Sequence, residues 1–238
     1  MKSSRRILAI LLIISVLFPI YSAGATAGEW QPRFQVLHPV RGVTAMISAP
    51  ATPLSPLVGD GVSNWVSTIE SRSGFGYWVQ AGWEIIPIAS YTEPYQYVEL
   101  CAGYDYVHPS NGCSEYYHKF HSDTDSQPWG TNYEYWVYLK SGTTWCGAAG
   151  PTGAVYEHFC SDSIHTQGLP YITVASESHD DVNPNDSFFD QIRYSDAATG
   201  GWYLITQKPE VIRYNDGRYH FDFLIQYNRM WTYSSNPN

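Results

Sequence analysis

Carboxylates, carboxamides and indoles recur at two-residue spacing in several segments of this 238-residue sequence. Between Gly76 and Ile85, Trp78, Gln80, Gly82 and Glu84 alternate with Val79, Ala81, Trp83 and Ile85. Successive side chains of an extended chain point to opposite faces, so this segment predicts one apolar face and one polar, aromatic face. The same alternation sets Val98 and Leu100 against Tyr95, Tyr97 and Glu99. It sets Ile172 and Val174 against Thr173, Ala175 and Glu177, and Tyr135, Val137 and Leu139 against Glu134, Trp136 and Tyr138. A merely solvated face would carry lysines, threonines and serines. One rich in tryptophan, tyrosine and carboxylates reads instead as a surface for something extended, a polypeptide or a glycan. Glu99 and Glu177 could also work as a glycosidase pair, which needs two carboxylates about 5–9 Å apart.

Other constellations are weaker. His118 and His121 stand three apart on a predicted strand, hence on opposite faces, which suits no shared metal ion. His179, Asp180, Asp181, Asp186 and Asp190 supply oxygen donors for calcium but lack EF-hand spacing, so a solvated acidic loop is the better reading. Asn185-Asp186-Ser187 is a glycosylation sequon, too short a match to weigh. No G-x-S-x-G, H-E-x-x-H, phosphate-loop or dinucleotide fingerprint occurs, which disfavours serine hydrolases, zincins and nucleotide enzymes. No cofactor and no metal is expected.

The elements that must position these side chains are strands. Apolar alternation bounded by Gly, Pro, Asn or Ser predicts them near 41–48, 62–69, 76–86, 94–101, 114–121, 131–140, 153–159, 169–177, 188–194, 201–206, 210–214 and 219–227. Turn chemistry separates them, as at Pro109-Ser110-Asn111-Gly112 and Asn215-Asp216-Gly217. About a dozen short strands predict an all-β fold: one two-sheet antiparallel β-sandwich or jelly roll, undivided by linkers or repeats.

The start of the chain carries an address. Lys2, Arg5 and Arg6 precede an apolar run from Ile7 to Ile20, followed by Ser22-Ala23-Gly24-Ala25-Thr26-Ala27. Positive, apolar, then small residues in that order mark a secretory signal, cleaved after Ala25 or Ala27. The run is shorter than the roughly 20 residues that span a bilayer. Residues 1–27 are thus predicted to be removed, leaving residues 28–238 as a secreted domain, monomeric and free of the membrane. Whether Gly28 to about Val40 is pro-sequence or a first strand stays open. The leader holds three of the 13 basic residues and none of the 22 acidic ones, so the rest is more acidic than the formal net charge of −9. Such a surface repels nucleic acid and anionic lipid. Four cysteines in an exported chain predict two disulfides, and short loops favour Cys101–Cys113 with Cys146–Cys160 over crossed pairings or zinc.

Several of these segments also resemble, in order, blocks of the eqolisin (glutamic peptidase) family. They are Gly42-Val43-Thr44-Ala45-Met46-Ile47-Ser48-Ala49-Pro50, Ser63-Asn64-Trp65-Val66, Trp78-Val79-Gln80-Ala81-Gly82, Tyr97-Val98-Glu99, Ala175-Ser176-Glu177 and Phe189-Asp190-Gln191-Ile192-Arg193-Tyr194. The resemblance implies a concanavalin-like sandwich and an acid-acting endopeptidase. Gln80 and Glu177 would match the family's catalytic pair, with Trp65, Tyr97 and Glu99 lining the groove, and the aromatic faces add Trp78 and Trp136 as candidate substrate-binding residues. In such a pair the carboxylate acts as general base on a water, and the amide donates hydrogen bonds to the oxyanion. The sequence departs from the family pattern at Ile69, where an acid is usual and Glu70 stands one residue on, and at Tyr97, where the family has tryptophan. It departs again at Ser178-His179-Asp180-Asp181 after Glu177. The Ala81-Gly82-Trp83 run is similar to neprosin-type glutamic peptidases, in which a glutamate precedes it. A binding module that keeps the groove without turnover is the alternative function.

Overall fold

A computed structural model describes residues 29–30, 33–36, 38–51, 61–85, 94–120, 126–162, 164–165, 170–179, 188–205, 211–214, 219–224 and 229–234. The predicted signal segment, residues 180–187 with the sequon, and His121 lie outside the described residues. In chain order the strands are β1 (Glu29–Trp30), β2 (Arg33–Val36), β3 (Val40–Ser48), β4 (Val62–Arg72), β5 (Phe75–Ile85), β6 (Tyr95–Asp105), β7 (Glu115–Phe120) and β8 (Asn132–Ser141). There follow β9 (Thr144–Pro151), β10 (Tyr156–Ser161), β11 (Tyr171–His179), β12 (Phe188–Asp196), β13 (Trp202–Leu204), β14 (Val211–Tyr214), β15 (Tyr219–Leu224) and β16 (Arg229–Ser234). They form two antiparallel eight-stranded sheets. The first runs β14-β2-β11-β4-β5-β6-β7 with β1 beside β11, and the second β10-β9-β8-β3-β12-β16-β15 with β13 beside β12.

The sheets face each other through the apolar positions of the alternation. Val79, Ala81, Trp83 and Ile85 of β5, Val98 and Leu100 of β6, and Ile172 and Val174 of β11 pack against Val43, Ala45 and Ile47 of β3 and Tyr135 and Val137 of β8. Burying each large side chain contributes about 1.5–3 kcal/mol. Several polar side chains inside this layer are paired. The Trp83 Nε1 donates across the sandwich to the Ser48 carbonyl at 3.0 Å. Tyr135 donates its hydroxyl proton to Gln127 Oε1 at 2.7 Å, and Gln127 Nε2 donates to the carbonyls of Ile47 and Thr131. Both predicted disulfides are present: Cys101–Cys113 ties β6 to the turn before β7, and Cys146–Cys160 joins partners across β9 and β10.

The sequence reading missed β9, whose run Gly147-Ala148-Ala149-Gly150 has neither β-branched residues nor alternation. Packing explains it. A methyl group on Gly147 would stand 2.3 Å from Val98 Cγ1 of the facing sheet, so the strand can lie there only if it is bare. Strand β16 was missed too, and the segment before Val40, left open above, contributes β1 and β2.

Candidate functional site

The outer face of the first sheet carries the polar half of the alternation, and strand register sorts it into rows. Glu177 of β11 lies opposite Ser63 of β4, which lies opposite Glu84 of β5. The next row is Ala175, Trp65, Gly82 and Tyr97, and the third is Thr173, Ser67, Gln80 and Glu99. Gly82 is the gap in this surface. A methyl group there would meet the Asn64 carbonyl at 2.1 Å and Trp65 Cβ at 2.7 Å. Its absence lets Trp65 and Tyr97 close over β5 from either side, both buried with Ala175 in a small cluster apart from the main core.

A cleft of about 100 Å³ opens over these rows, lined by Ser63, Gln80, Glu84, Tyr97, Glu99 and Glu177 among others. At roughly 30 Å³ per water it holds about three waters or one peptide unit. Donors are aimed at its carboxylates. The Trp65 indole N–H donates to Glu177 Oε2 at 3.4 Å, Trp78 Nε1 to Glu99 Oε1 at 2.8 Å, and the Tyr116 hydroxyl to Glu99 Oε2 at 3.0 Å. Gln80 Nε2 donates to the Tyr97 hydroxyl at 3.3 Å. Burial holds the Tyr97 phenol protonated well beyond its ordinary range, and the negative charges of Glu84, Glu99 and Glu177 act in the same direction. Tyr116 is pushed up in the same way, by burial first and then by Glu99.

The sequence-predicted residues divide. Gln80, Glu177, Tyr97 and Glu99 line one cleft, and Trp65 and Trp78 stand behind it as donors. Trp136 does not join them. It lies on the second sheet between Thr44 and Ala148, against Trp202. Gln80 and Glu177 reach the cleft from rows two apart, four residues along the strands, so their backbones are roughly 13 Å apart in that direction. Glu84, level with Glu177, was not singled out, although it alternates with Gln80 on the same face; Tyr116 carried no such signal. Glu70, beside the departure at Ile69, points to the opposite face and meets buried His165. One residue of offset on a strand reverses the side. The cysteines once weighed for zinc are engaged with each other.

No protein-family model and no curated protein matches the sequence. Solved structures do match by shape. SCP-B, a member of the eqolisin family of peptidases in complex with the tripeptide Ala-Ile-His, superposes with a TM-score of 0.54 at 12% identity, over 87% of this chain and 98% of that one. Scytalido-glutamic peptidase with a transition-state analogue inhibitor gives 0.54 at 10% identity, again over 87% and 98%. Its complex with a peptide-based analogue gives 0.51. The all-β sandwich described here is therefore an eqolisin-like fold, spanned by this chain over nearly the full length of its structural neighbours.

Proposed function

We propose that the chain is a secreted acid endopeptidase in which Glu177 activates water and Gln80 stabilises the oxyanion, after removal of residues 1–27. One observation carries this reading: a carboxylate and a carboxamide line the same small cleft on a fold shared with glutamic peptidases. In the proposed reaction Glu177 takes a proton from a water attacking the scissile carbonyl. Gln80 Nε2 turns from Tyr97 to the developing oxyanion, and Glu177 returns the proton to the leaving amine. The Trp65 N–H engages one oxygen of Glu177 and orients the carboxylate. Export is supported by the leader pattern and by two disulfides. Among the described residues no helix is long and apolar enough to cross a membrane.

The test is digestion of a denatured protein by the purified chain between about pH 2 and 5, the range set by an ordinary glutamate near ~4.3. Metal chelators and serine- or cysteine-directed reagents should leave cleavage unchanged. Glu177→Gln should abolish it while thermal melting stays that of the unaltered protein. A folded but inert wild type, or a Glu177→Gln variant that cleaves at the wild-type rate, would sink the proposal.

A further inference from the structure

A larger opening lies on the outer face of the second sheet, where nothing in the peptidase reading uses it. It is a groove of about 620 Å³ with Arg41, Trp136, Tyr138, Glu157, Ser195 and Trp202 among its lining residues, within the size range of ligand pockets, about 300–1,000 Å³. Register builds it: Tyr138 of β8, Gly42 of β3, Ser195 of β12 and Trp202 of β13 are successive cross-strand neighbours. Small residues thus form the floor and indoles the walls. Trp202 meets Trp136 edge to face, with ring centroids 5.1 Å apart and planes at 64°. Trp202 stays 38% exposed, so a broad indole face is open to a ligand.

The charges of this groove are unevenly paired. Its carboxylate is already taken: Glu157 Oε1 accepts from Lys140 Nζ at 2.8 Å and Oε2 from the Tyr138 hydroxyl at 2.6 Å. The Ser195 hydroxyl donates to the Gly200 carbonyl. Arg41 is exposed and makes no ion pair among the described residues. A cationic donor, the Arg41 guanidinium, is open beside an aromatic wall. A pyranose brings acceptor oxygens on its rim, hydroxyls that both donate and accept, and an apolar C–H face that is drawn to the negative face of an indole.

We infer that this groove binds a saccharide unit carrying a carboxylate, a hexuronate, with its ring on Trp202 and its carboxylate on Arg41. Such a site would tether the exported protein to an acidic polysaccharide, independently of any peptide cleavage on the other sheet. The test is isothermal titration of the purified full chain with trigalacturonate, the matched neutral galactose trimer, and a dipeptide with a free C-terminal carboxylate. Trigalacturonate should bind about tenfold more tightly than the neutral trimer, a gap that closes in Arg41→Gln and narrows with added salt. Trp202→Ala should abolish binding of both trimers. Both substitutions are at exposed positions, and near-ultraviolet circular dichroism checks that they fold. The inference is overturned by absence of trigalacturonate binding at millimolar concentration, by equal affinity for the two trimers, or by affinity that survives both substitutions. Tighter binding of the dipeptide than of trigalacturonate overturns it in favour of a peptide ligand.

Discussion

On the first sheet, indole and phenol donors point at carboxylates: Trp65 at Glu177, Trp78 and Tyr116 at Glu99. On the second, the carboxylate of the groove is held by Lys140 and Tyr138, and the Arg41 guanidinium is left open. Both surfaces arise from the same period-two pattern, and both set tryptophan and tyrosine beside charge. They differ in which partner was left over. A narrow cleft with three carboxylates suits proton transfer at one bond, whereas a broad groove with spare donors suits holding an acceptor-rich ligand. Aromatic content alone would have assigned both faces the same task. The distinction lies in the hydrogen-bond accounting.

The comparison supposes that both faces rest on one core, and Trp83 tests that most severely. It is fully buried, fills the space between the sheets and bonds to Ser48 of the other sheet. Trp83→Ala should cost about 3–5 kcal/mol, lowering the urea midpoint of the whole molecule in a single transition. Two separated transitions, one reported from each face, would mean that the sheets do not support each other. Gln80→Ala acts on one face only. On the proposed mechanism it removes an oxyanion donor and should slow peptide digestion about 10²–10³-fold, while trigalacturonate affinity stays unchanged. Equal losses in both assays would show general damage instead. Trp78→Ala should be milder still for the fold. The ring is half-buried on the outer face, and its loss removes one hydrogen bond to a charged group, about 1.5–3 kcal/mol. A greater loss of stability than in Trp83→Ala would invert the assignment of faces.

How much of this was legible in the sequence follows from what each signal measures. Alternation reports side, so the core face of β5, the outward position of Glu99 and the burial of Val137 could be read directly. It does not report which sheet a strand joins, and for that reason Trp136 was grouped with Gln80 although β8 belongs to the other layer. Nor does it report register. The two-row offset between Gln80 and Glu177 depends on how β11 pairs with β4, a contact between residues more than 100 positions apart. The disulfides were readable because short loops bring their cysteines together locally. Strand β9 was not, since Gly147 is dictated by Val98 across the sandwich rather than by any preference of its own.

The smallest effect expected is one of pH, and it separates the shared interior from the second face. His165 is wholly enclosed, with Nε2 3.1 Å from Thr68 Oγ1, Nδ1 3.3 Å from Glu70 Oε2, and its ring edge-on to Trp145. Burial holds its pKa below the ordinary 6.5; the hydrogen bond and charge of Glu70 oppose that, and Arg72 reinforces it. Below 6.5 the unfolded chain therefore binds a proton that the folded chain resists. The stabilisation is complete above that pH and is lost as pH falls through the depressed folded value. Asp196 closes the turn that carries Trp202, and behaves differently. His38, at 2.8 Å, and the amide of Thr199 lower its pKa to about 2 from 3.8. Its contribution is complete above 3.8 and fades only as pH falls through about 2. Urea midpoints between pH 8 and 3 should thus fall below pH 6.5 in the wild type, and fall less in His165→Gln, which keeps polar contacts but cannot titrate. Asp196→Asn should lower the midpoint evenly across pH 8 to 5 and keep the wild-type fall below 6.5. Parallel curves for wild type and His165→Gln would place the acid sensitivity elsewhere, in the carboxylates of the first face.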